Sequence, residues 1–315
     1  MASEDHQQDI SLTVATPTLP PLSDRLPPLE VAKRNWVNWL SAAISITLLV
    51  IMFFQLRKFG FARAWEALPI SPWFWLAFTG YYITLPCSEW IIYRRLWHIP
   101  IDGLAALFRK LVSNEILLGY SGEAYFYTWA RRRSQMVAAP FGAIKDVSIL
   151  SAMAGNIVTL ALLAVAYPLV GVIGLKFDVE SVFLSAAFIV FVSTMLLLFR
   201  NRIFSLPRRD LWFIFGMHMV RLIIATVCAV SMWHVSLPEV PTIWLLFLVT
   251  TLLLVTRLPF LTNKGIVFAG IATLLVGNDA QISAQITIIE TAILATHLFV
   301  GGILVMAELL AVRRV

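Results

Sequence analysis

The chain has 315 residues, of which 59% are hydrophobic and 13% charged, with a mean hydropathy of +0.83. A soluble domain is about a quarter charged, so the composition excludes an ordinary soluble enzyme and points to a polytopic membrane protein. The net charge of +6 does not indicate nucleic-acid binding, because Lys and Arg sit in short loops between apolar runs, as orientation signals do. Cys87 and Cys228 fall in separate apolar segments, with no CxxC pair and no His/Cys cluster, so neither a disulfide framework nor a metal site is expected.

Residues 1–35 hold five prolines, five acids and three bases. Such a tail buries too little apolar surface to fold alone and is expected to be disordered. The apolar run after it starts too late for a secretory signal, and no small-residue cleavage site follows. Lys33 and Arg34 precede a first span at 36–55 and place the N-terminus in the cytoplasm. A second span at 70–90 is rich in aromatic residues at its ends, and Arg94 and Arg95 return the chain to the cytoplasm. Residues 104–110 read as a short surface helix.

The segment 109–133, RKLVSNEILLGYSGEAYFYTWARRR, is the most informative. Its twenty mostly apolar residues 111–130 could span a bilayer once. Arg109-Lys110 and Arg131-Arg132-Arg133 flank both ends, however, and basic residues prefer one side of a membrane. Asn114, Glu115, Ser121 and Glu123 lie inside, and Gly119 and Gly122 break the run. The expectation is a re-entrant hairpin with its tip at the glycines and arms 111–118 and 123–130, each about 12 Å long. Broken backbone survives at membrane depth only where protein buries it or water lines it. The hairpin is therefore read as the floor of a polar cavity. A single spanning helix with its glycines in a packed interface is the competing reading.

Lys145 and Asp146 open a third span at 147–167, and a fourth at 181–199 ends in Arg200, Arg202, Arg208 and Arg209. The fifth, 211–233, begins at Trp212 and ends at Trp233, roughly 31 Å apart on a helix, which suits one aromatic residue at each membrane interface. A sixth span, 242–256, ends at Arg257. The next segment, 258–277, contains Pro259, Asn263, Lys264, Gly265 and Gly270, and reads either as a crossing helix or as a second hairpin. The polar patch 278–285 separates it from a last helix at 286–312. Two interrupted segments suggest two halves around a central site, although no sequence repeat is evident. The expected fold is all-α, a polytopic helical membrane protein with about 7–8 transmembrane helices and one or two re-entrant hairpins. Residues 36–315 would form its single transmembrane domain.

Charges in apolar segments need partners, a wet cavity or a ligand, since each costs roughly 2.5–3.5 kcal/mol at a helix centre. Glu115 and Glu123 lie in the hairpin, with Gly119, Ser121 and Gly122 at its turn. Arg221 lies near the middle of the fifth span, with His218 on the same face. Glu290 and His297 share nearly one face of the last helix, and Arg257 and Lys264 flank the second break. Together with Lys145 and Asp146 at a helix entrance, these residues form the candidate substrate path. The two histidines read more naturally as satisfied bundle residues. Snorkelling to the surface competes as the role of Lys145, Asp146 and Arg257. No HExxH, GxSxG, P-loop or Asp-rich metal motif is present, so no catalytic residue, cofactor or nucleotide site is assigned.

Three short motifs carry a resemblance. Gly119-Tyr120-Ser121-Gly122-Glu123 with the later Arg131, Lys145-Asp146, and Leu258-Pro259 with Asn263-Lys264-Gly265 are together similar to the flippase-like integral membrane domain that accompanies bacterial lysylphosphatidylglycerol synthases and also occurs alone. The chain lacks that family's proline before the first turn and keeps only Gly265 and Gly270 of its late glycine cluster. The resemblance implies movement of a lipid or lipid-linked amphiphile between leaflets of the bacterial cytoplasmic (inner) membrane. No synthase domain is expected, because the chain ends after the last helix. The expected partner is a membrane lipid with an anionic head group, held by Arg221, Arg257 and Lys264, while Glu115 and Glu123 would shape the path. Homo-oligomerisation is left open. A membrane-embedded lipid-modifying enzyme using Glu123 or Glu290 as general base, and a scaffold subunit docking through its tail, are the alternatives.

Overall fold

A computed structural model of the chain describes residues 68–117, 120–133, 141–173, 203–256, 263–276 and 280–312. The tail, the spans expected at 36–55 and 181–199, and both Gly119 and Arg257 lie outside these residues. Among the described residues there are eight helices and no strand. They are α1 (Pro72–Trp97), α2 (Gly103–Ile116), α3 (Ser121–Arg133), α4 (Phe141–Ile173), α5 (Arg208–Ser236), α6 (Thr242–Thr256), α7 (Lys264–Val276) and α8 (Ala280–Val312).

Three stretches, Phe141–Val165, Arg208–Ser236 and Gln281–Ala307, are long and apolar enough to cross a membrane. The outer surface agrees with that. On α5, Val220, Ile223, Ile224 and Val227 form an exposed apolar stripe at helical spacing, and Phe299, Ile303 and Met306 form another on α8. Water would leave such stripes unpaid for in free energy, whereas hydrocarbon matches them.

The bundle has two distinct ends. At one, Ile92 and Tyr93 of α1, Leu107 of α2, Phe126 of α3, Ile144 of α4 and Ile214 of α5 share a core. Arg94, Arg95, Arg131, Arg208 and Arg209 lie at this basic end, where Arg95 pairs with Asp210 at 3.2 Å. At the far end, Phe74 and Phe78 of α1, Trp233 of α5, Leu245 of α6, Phe268 of α7 and Ile286 of α8 share a second core. Helices α1 and α5 therefore run the full depth in opposite directions.

The four shorter helices do not span that depth. Helices α2 and α3 form a hairpin. Gly103 meets Trp129 at its base, and at its tip the Ser121 hydroxyl donates to the Ser113 carbonyl (2.9 Å) while the Gly122 N–H donates to Asn114 Oδ1 (2.7 Å). This hairpin rises from the basic end. Helices α6 and α7, of 15 and 13 residues, are roughly 20 Å long each and form a second one. Trp244 at the start of α6 lines the same far-end groove as Gln281 and Ile282 at the start of α8. The chain thus enters and leaves the second hairpin at the far end.

Several expectations are corrected. The surface helix at 104–110 and the first hairpin arm are one helix, α2, with Arg109 and Lys110 buried in it, so these two residues do not mark the membrane surface. The sixth span and the following segment are two short apolar helices, α6 and α7, of 15 and 13 residues, and α8 then runs from the far end back towards the basic end. Trp233 is no interface residue: it is 1% exposed and stacks on Phe268 with ring centroids 5.5 Å apart.

Candidate functional site

The two hairpin tips meet. The C-terminal turn of α2 abuts the start of α7, and the Asn263 N–H donates to the Glu115 carbonyl at 2.8 Å. Asn263 is left-handed (φ 51°), and its own carbonyl accepts the Ile266 and Val267 amides that open α7. Asn enters this conformation more readily than most residues, although here its Oδ1 is buried without a hydrogen-bond partner among the described residues. Tyr120 at the other tip is also left-handed (φ 72°).

A cavity of about 190 Å³ lies beside this junction, lined by Glu115, Arg221, Lys264, Glu290 and, from α1 and α8, by Tyr81, Tyr82 and His297. The Glu115 carboxylate lies close to Lys264 and in the field of its ammonium. Arg221, midway along the 29-residue α5, donates from Nη2 to Ser151 Oγ on α4 at 3.2 Å. The Tyr82 hydroxyl and His297 Nδ1 are 3.1 Å apart. Glu290 is 3% exposed, and its carboxylate lies against Gly265, where an added Cβ would overlap a carboxylate oxygen. Glycine here lets an acid approach the first turn of α7, where the helix dipole favours anions.

The other expected path residues lie elsewhere. Glu123, itself half-buried, belongs to a triad around the buried Lys110: Lys110 Nζ is 2.5 Å from Glu89 Oε1 and 3.3 Å from Glu123 Oε1. The triad ties both limbs of the first hairpin to α1. Ser121 and Gly122 close the tip of that hairpin and do not line the cavity. Lys145 and Asp146 do not line it. Asp146 is fully buried and accepts the Ser205 and Leu206 amides at 2.7 and 2.8 Å, while Lys145 donates to the Ile203 carbonyl. They clamp the segment that leads into α5.

Glu89, Tyr81 and Tyr82 were not singled out in the sequence. Their signal was legible: Phe78, Tyr82, Pro86, Glu89 and Tyr93 recur at three- and four-residue spacing and are all buried. An acid on that stripe has to meet a cation inside. No family model, characterised protein or solved structure matches the chain.

Proposed function

We propose that the protein translocates a lipid or lipid-linked amphiphile between the leaflets of a bacterial cytoplasmic membrane. One observation carries the reading: two short helical hairpins from opposite ends of the bundle meet tip to tip at a buried cavity holding two acids and two bases. In a bilayer each hairpin would be re-entrant, with α1, α4, α5 and α8 crossing. The basic end would be cytoplasmic by the positive-inside rule, which also suits a cytoplasmic N-terminus. Interrupted helices that place their ends at mid-depth are how transporters offer polar contacts inside hydrocarbon. The start of α7, with Lys264 and Arg221 facing the same space, suits an anionic head group, while the acyl tails remain in lipid beside the apolar outer faces. The resemblance to flippase-like domains points the same way.

The test is leaflet exchange of fluorescent phosphatidylglycerol in vesicles reconstituted with the full chain. Lys264→Ala and Arg221→Ala are each expected to slow protein-dependent exchange about tenfold, the effect of about 1.4 kcal/mol of lost head-group interaction. The lipid recovered should be chemically unchanged. Undiminished exchange in both variants removes the cavity from the path, and an altered lipid product favours an enzyme.

A further inference from the structure

We propose that Glu290 is a proton site, and that the proton it takes up travels with the anionic lipid. The coupling rests on the translocation reading above; the proton site does not. Glu290 is buried, lines the cavity, and makes no ion pair or hydrogen bond among the described residues. The charged and titratable groups around it come from the elements that line the cavity, α6 excepted. Tyr81 and Tyr82 face it from α1, Glu115 from α2, Arg221 from α5 and Lys264 from α7, with His297 on its own helix. Helix α6 has no titratable residue. Glu115 lies in the field of Lys264 and is itself a like charge towards Glu290.

A buried carboxylate outside ion-pair distance of any cation is readily neutralised by a proton. The ionised form is tolerated here too, because the absent Cβ of Gly265 admits the carboxylate to the amino end of α7. Both states are thus accessible at one place. An entering phosphate competes with ionised Glu290 for the same field, that of Lys264, Arg221 and the α7 dipole. Phosphate binding therefore favours the protonated acid, and by linkage protonation favours phosphate binding. A hydrated proton from the more acidic side forms an O–H bond on one carboxylate oxygen and releases its water, and that O–H bond breaks when water on the other side takes the proton up. One proton moves with one phosphate charge, and no electron transfer is involved.

Infrared titration of the purified full chain tests the site without any transport. The wild type should show a protonated-carboxyl band that disappears as pH rises. Glu290→Gln should lack that component, and Glu290→Asp should keep it with a displaced midpoint, which also controls for folding. Short-chain phosphatidylglycerol should move the wild-type midpoint to higher pH. An identical band in Glu290→Gln overturns the proposal, as does a band that responds to sodium but not to pH. In phosphatidylethanolamine–phosphatidylglycerol vesicles, a gradient of one pH unit should drive up to about tenfold asymmetry of labelled phosphatidylglycerol for one-to-one coupling. Glu290→Gln should show none. Wild-type exchange that ignores the gradient overturns the coupling. A Glu290 band without any lipid exchange instead removes the translocation reading and leaves the proton site standing.

Discussion

Lys110 shows how a single residue departs from its usual role. In sequence it looks like a flanking positive charge, yet it lies between Glu89 and Glu123 with its side chain 4% exposed. Removing one member of a buried ionic set leaves the others uncompensated, at about 3–5 kcal/mol. Lys110→Ala should therefore lose about that much stability in denaturant titration of the detergent-solubilised protein. Lys110→Met combined with Glu89→Gln should recover a large part of it. Glycines behave according to what surrounds them. A Cβ on Gly122 would run into the Lys110 carbonyl, backbone against backbone, whereas a Cβ on Gly216 would meet nothing within 4 Å. Gly122→Ala should cost about 1–3 kcal/mol as overpacking. Gly216→Ala should be neutral or stabilising by up to about 1 kcal/mol, and thermal midpoints of the two variants measured side by side would check both.

The hairpin is the element on which the site depends, and its tips are fixed by backbone bonds. The Asn263 amide and Glu115 carbonyl are in contact at 2.8 Å, which brings the two residues within disulfide reach. Glu115→Cys with Asn263→Cys, in a Cys87→Ala, Cys228→Ala background, should cross-link on mild oxidation. Absence of cross-linking in a folded preparation would mean that the tips do not meet. The left-handed conformation of Asn263 makes a further demand: Asn263→Gly should be tolerated, while a β-branched Asn263→Val should lose about 1–3 kcal/mol, read in the same unfolding assay. Asp146 acts on another element, holding two amides ahead of α5. Asp146→Ala removes the acceptor of two part-buried amides, at about 1 kcal/mol each, and should lower stability without removing a cavity group.

At the scale of the whole molecule, the two ends of the bundle should lie on opposite sides of the membrane. In the cysteine-free background, Arg132→Cys at the basic end and Glu239→Cys at the far end should be labelled by an impermeant thiol reagent from opposite faces. Labelling of both from one face would overturn the orientation drawn here. The outer stripe gives a second check: Ile223→Lys places a charge towards lipid mid-way along α5, at roughly 2.5–3.5 kcal/mol on insertion scales, and should sharply reduce the membrane-integrated yield. The sequence by itself determined the all-helical class, the broken segments, and that Glu115, Arg221, Lys264 and Glu290 sit uneasily in apolar runs. Those properties are local, since hydropathy, glycine breaks and intramembrane charge are each written within one segment. It did not determine partners. Whether a charge faces lipid, a cavity or another charge depends on segments distant in the chain, so Glu123 and Lys110 were separated from the cavity, and Lys145 and Asp146 became a clamp, only in three dimensions. The second break was ambiguous for the same reason. A helix of 13 residues can continue onward or turn back with the same composition, and what the sequence leaves out is its packing, with Phe268 of α7 stacked on Trp233 of α5.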